Sequence, residues 1–154
     1  MITDSNLQLS GAWAAGAWTP QTVTGASAVI STNVVDLGVA RDIGEGTELS
    51  ARVSVLTAFA GLTALTIEVV TADDAGISTN VTPISSSGAI PVARLTAGAT
   101  FAVNIGPQLG SNGHRYLALR YTPTGTGTAG AVVADIGADL QDGKKFYASG
   151  FSVK

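Results

Sequence analysis

Apolar and polar residues alternate with period two through most of this chain, and that pattern constrains the fold more than any other feature. Leu49, Ala51, Val53 and Val55 alternate with Ser50, Arg52 and Ser54, and Leu65, Ile67 and Val69 with Thr66 and Glu68. The same rhythm runs through Phe101–Ile105, Leu117–Tyr121 and Val132–Leu140. Successive side chains of a strand point to opposite faces, so each of these segments predicts a strand with one buried face. Shorter candidates lie at 27–30, 34–37, 81–85 and 90–95.

Turn residues separate these segments: Ala60-Gly61, Asp73-Asp74-Ala75-Gly76, Ser87-Gly88, Ala97-Gly98, Asn112-Gly113 and Thr124-Gly125. Pro83 and Pro91 donate no ladder hydrogen bond, which assigns their strands to edges or bulges. No stretch carries a capped helical stripe. The expectation is all-β: one domain over residues 1–154, an antiparallel β-sandwich of six to nine strands. A jelly roll is favoured over an immunoglobulin-like sandwich.

Composition narrows the function classes. Gly, Ala, Ser and Thr supply 74 of the 154 residues, and charged residues only 12%. Small side chains lose little entropy when a contact orders them, so such a surface suits lasting contact with other subunits. An ordinary β protein with a quiet surface has the same composition. The net charge of −3 and the lack of any basic stripe argue against direct nucleic-acid binding. Without cysteine there are neither disulfides nor thiolate metal sites. Met1-Ile2-Thr3-Asp4 lacks the positive region of a signal peptide, and Gly11–Trp18, the longest small-apolar stretch, is too short to span a bilayer. These features lead us to expect a soluble protein, made in the cytoplasm and not bound to membrane.

A search for chemistry finds little. Gly125–Gly130 spells G-x-G-x-x-G, but a strand pattern follows it where a dinucleotide site needs a helix, so it reads as a hairpin loop. His114 is the only histidine and lies beside a turn, where a surface position is expected. No G-x-S-x-G elbow accompanies it. Glu45 and Glu48 follow Arg41-Asp42, while Asp135 and Asp139 share a strand face, read as solvated or ion-paired. Asp73-Asp74 lacks the spaced ligands of a calcium loop and reads as a turn. The chain is expected to be no enzyme, with no catalytic residue, metal or cofactor.

Two segments stand outside the strand pattern. Residues 11–26 hold Trp13 and Trp18 in a loop-like, small-residue context. The tail, 143–154, holds Lys144, Lys145, Phe146, Tyr147 and Phe151. We take both as arms and these seven residues as candidate subunit contacts. The competing reading folds both arms back to cap the sandwich.

Several strings, taken together and in order, carry a family resemblance. They are Met1–Asp4 with Leu7-Gln-Leu-Ser10, Ser31–Gly38 and Arg41–Gly46, then Ala58–Thr66, Gly88–Leu95 and Arg115–Tyr121. From residue 1 to about 140 the chain resembles the capsid cement (decoration) proteins of Bordetella-phage type, found in short-tailed phages. The resemblance implies a jelly-roll subunit that oligomerises and clamps a shell of Johnson-fold major capsid proteins, with no activity, cofactor or metal. The chain departs from the family pattern in the Trp-bearing segment and after Asp142.

The expected function is therefore structural, on the outer surface of the virion. The expected partners are the major capsid protein and the chain itself, as a homodimer or a trimer. The alternative is a carbohydrate- or receptor-binding module of a phage tail or fibre, for which Tyr116 and Arg120, on one strand face, would form a platform. A small hydrolase is a third reading, disfavoured by the single histidine.

Overall fold

The structure, a computed structural model, describes residues 5–42, 48–106 and 114–138. Among these residues ten strands run β1 (Gln8–Ser10), β2 (Ala12–Ala14), β3 (Ala17–Thr19), β4 (Gln21–Thr22), β5 (Val29–Ile30), β6 (Val35–Asp36), β7 (Leu49–Ala72), β8 (Thr82–Pro91), β9 (Thr100–Ile105) and β10 (Tyr116–Ala138). Ser5–Leu7 and Val92–Arg94 form single 3-10 turns. Every pairing is antiparallel.

β7 and β10 organise the sheet. They pair along their whole length, from Leu49 opposite Ala138 to Ala72 opposite Tyr116. The free edge of β10 takes up β1, β4, β5 and β6. The free edge of β7 takes β9 along residues 49–54 and β8 along 64–71. The sheet then curls so that its two halves face each other. Ser10, registered opposite Ala134 in one half of β10, hydrogen-bonds the hydroxyl of Tyr121 in the other half at 2.7 Å. Where β8 and β9 meet, the Ser85 hydroxyl donates to the Asn104 carbonyl. The result is an all-β, sandwich-like fold, which fits the jelly-roll expectation.

The alternation does what it predicts within each half. Ala51, Val53 and Val55, then Leu65, Ile67 and Val69, point inward with Leu117, Leu119, Tyr121 and Val132 to form the main core. A smaller cluster of Val70, Ala72, Ile77 and Ala118 covers the opposite face at the other end of β7. Burial raises the pKa of the Tyr121 phenol, and the Ser10 hydroxyl gives it a partner. No buried side-chain polar atom among the described residues lacks one.

The structure corrects several sequence expectations. Ser87-Gly88 lies inside β8, and 92–94 is a 3-10 turn rather than strand. Ala60-Gly61 and Thr124-Gly125 are not turns between separate strands but bends inside β7 and β10. Gly125–Gly130 is likewise no hairpin loop; it lies within β10, where register slips between Thr124 and Val132 bulge the strand. The slips shift the inward parity, so residues 59, 62 and 65 are the buried positions across the β7 bend. A rule that expects strict alternation sees two strands there. Pro83 and Pro91 do sit in an edge strand, β8, whose pairing is irregular.

Two glycines make the bend feasible. Gly61 has φ +84°, and a Cβ there would lie 2.6 Å from the Thr126 carbonyl. Gly130 has φ +148°, and its Cβ would lie 2.3 Å from the Phe59 ring. Gly130→Ala should therefore lower stability by about 1–3 kcal/mol, the usual cost of overpacking. Phe59→Leu in the same background should recover part of that loss. Urea denaturation of the native protein and the two variants measures both effects.

Candidate functional site: an uncharged aromatic hairpin

From Ser5 to Val35 the chain carries no charged residue, a run of 31 positions. These residues supply β1 to β5 and the start of β6. The middle of the long pair is also uncharged, between Arg52 and Glu68 on β7 and between Arg120 and Asp135 on β10. The bounding charges neutralise one another across the strands. Arg52 donates twice to Asp135, at 3.0 and 2.9 Å, and Arg120 donates to Glu68 at 2.9 Å. Asp135 is thus ion-paired as expected, yet buried rather than solvated.

Within the uncharged run, β2 and β3 leave the main sheet and form a two-stranded sheet of their own. The turn, Ala15-Gly16, has φ of 52° and 79°. Positive φ at both central residues is the hairpin geometry that matches strand twist. It puts Trp13 directly opposite Trp18, and the rings meet edge to face with centroids 5.2 Å apart. Gly11, with φ +75°, brings the base of the hairpin down on β10, where an added Cβ would lie 3.0 Å from Val133 Cγ1.

Trp13 is 54% exposed, Trp18 is half-buried, and neither belongs to a core cluster. The segment is thus a formed hairpin rather than the irregular loop expected from its sequence. Lys144, Lys145, Phe146, Tyr147 and Phe151 lie outside the described residues, as do Glu45, Asp139 and the Asn112-Gly113 turn. Tyr116 and Arg120 both lie on β10 and are half-buried. Arg120 is engaged by Glu68, while Tyr116 packs on the smaller cluster with the Arg115 guanidinium 5.1 Å over its ring. Arg115 also pairs with Asp36, which lowers the Asp36 pKa.

His114 departs from expectation too. It is 7% exposed, not a surface residue, and its ring lies between Asp73 and Thr82. Asp73 comes from the β7–β8 connection and Thr82 from the first position of β8, 41 and 32 positions away, so no local spacing announces the contact. That connection, residues 73–81, is built around two carboxylates. Asp74 accepts the backbone N–H groups of Gly76, Ser78 and Thr79 together with the Ser78 hydroxyl. The loop holds Ile77 and Asn80 at φ of 50° and 52°, a backbone region costly for a β-branched residue.

The backbone donors of Thr79 and Ser78 hold the Asp74 carboxyl down at about 2, from an ordinary 3.8. The bonds from His114 and Asn80 lower Asp73. A depressed carboxylate adds stability above its ordinary pKa and loses it as pH falls toward the folded value. The loop should therefore loosen between about pH 4 and pH 2. Amide hydrogen exchange across 74–80 should speed up in that window, and Asp74→Asn should speed it at neutral pH.

Among the described residues no helix is long and apolar enough to cross a membrane, and no three His, Asp or Glu side chains group closely enough to hold a metal. No curated protein matches the chain. A comparison with protein families matches Bbp16 over residues 18–136, which includes Trp18, all of β7 and β10 as far as Ile136 but leaves out Trp13 and the tail. With that match spanning well over half of its length, the chain belongs to the Bbp16 family, a Bordetella phage protein family.

Proposed function

We propose that the chain is a structural protein of the phage head, a cement subunit on the outer surface of the capsid. It binds the assembled shell and bridges neighbouring major capsid proteins. The observation that carries this reading is the projecting, uncharged Trp13–Trp18 hairpin on a protein of a phage family. Its Ala and Gly residues lose almost no side-chain entropy on contact, while each indole brings a large apolar surface and one N–H donor. Such contacts depend little on salt.

The action is mechanical, without catalysis or cofactor. A ligand that binds only the assembled lattice stabilises it by linkage, in proportion to the logarithm of its free concentration over its dissociation constant. Homo-oligomerisation, as a dimer or a trimer, would multiply weak contacts into a firm clamp. The tail residues Lys144, Lys145, Phe146, Tyr147 and Phe151 form the second contact element in this reading, the lysines steering it toward acidic surface.

Purified protein should bind expanded empty shells and raise their resistance to heat. Changing Trp13 and Trp18 to Ala should weaken that binding by about tenfold or more, as expected for interface anchors. Deleting 144–154 should weaken it as well. The melting temperature of the free protein should move little in either variant. A severe loss of stability would return these segments to the fold, and undiminished binding would remove them from the interface. A glycan array should stay silent; sugar binding would favour the tail-module reading instead.

A further inference from the structure

The contact role leaves the histidine unused. His114 Nδ1 lies 2.7 Å from Asp73 Oδ1, and Nε2 lies 3.0 Å from Thr82 Oγ1. A carboxylate only accepts, so in the neutral ring Nδ1 carries the hydrogen and Nε2 is left to accept from the Thr82 hydroxyl. Asn80 Nδ2 donates to the second Asp73 oxygen at 2.6 Å and fixes the carboxylate from its far side. The other acceptor within reach of the Thr82 hydroxyl, the Asn80 carbonyl, is further away at 3.2 Å. Carboxylate, imidazole and hydroxyl thus stand in the order that activates a nucleophile, whatever their order along the chain. The imidazole is buried, but Thr82 is only half-buried and lies between exposed Asn80 and Pro83.

We propose that Thr82 is a latent nucleophile that takes one acyl group from an activated ester, with His114 as the base and Asp73 orienting it. Oγ1 forms a bond to the acyl carbon as its proton passes to His114 Nε2 and on to solvent. The bond from that carbon to the leaving oxygen breaks, and the oxygen departs as the phenolate with the electron pair. The relay activates the attacking group and nothing more, so the ester must bring a good leaving group. Aryl esters of small acids are the fitting class, and the reaction stops at one acyl group per chain.

The test is to incubate the full chain with p-nitrophenyl acetate, then map acetylation by peptide mass spectrometry and follow p-nitrophenolate release. The lysines of the tail acetylate without any relay and so report that the reagent is active. Acetyl-Thr82 should form in the native protein and not in denaturant. His114→Gln should slow it by about 100-fold or more, the usual contribution of a general base, with Asp73→Asn also slowing it. Thr82→Ser should keep the reaction and Thr82→Val abolish it, with circular dichroism confirming the fold of each. Acetylated lysines beside an unmodified Thr82 would overturn the proposal. So would acetylation of Thr82 that proceeds equally in folded His114→Gln or in denaturant.

Discussion

The antiparallel pairing of β7 with β10 is the interaction on which the rest of the structure depends. Among the described residues every other strand except the β2–β3 hairpin adds to one of these two. Their strands are too long to lie flat under one core, and the bend at Gly61 and Gly125–Gly130 lets a single sheet bury both halves against each other. Loss of that bend would separate Tyr121 from Ser10 and expose the apolar faces together. Local choices and global fold agree here: apolar alternation marks the main-core face on either side of the bend and gives way where the chain must turn.

The distribution of charge follows from the same frame. Arg52–Asp135 and Glu68–Arg120 are cross-strand pairs on β7 and β10, one in each half of the sheet. The surface between them carries none, and neither do β1, β4 and β5, the uncharged strands added to β10. Edge strands are usually guarded by charge against unwanted pairing. This chain leaves the β2–β3 hairpin unguarded and places an exposed tryptophan on it, an arrangement that serves contact better than isolation.

Much of this was legible in the sequence. Period two in Leu49–Val55, Leu65–Val69, Phe101–Ile105 and Leu117–Tyr121 predicts the strands and their buried faces, and Pro83 with Pro91 predicts an edge. The continuity of β7 and β10 was not legible, because glycine and broken parity mark a bulge and a turn alike. The tryptophans could be singled out by their small-residue setting, but their pairing across a two-residue turn rests on Ala15 adopting φ +52°, which alanine rarely does. The burial of His114 was invisible because its partners, Asp73 and Thr82, arrive from the β7–β8 connection and the start of β8 through tertiary packing. The paired Asp135 was half legible: the face was readable, the Arg52 opposite it was not.

The proposed function takes fold, charge and family together as those of a subunit that works by contact. The measurement that bears on this most directly is cryo-electron microscopy of phage particles assembled with and without the protein. The account expects sandwich-sized density on the outside of the head, bridging neighbouring capsid subunits through the Trp13–Trp18 hairpin, and its loss from particles lacking the protein. Identical head density in both preparations, or this density found on the tail, would contradict it.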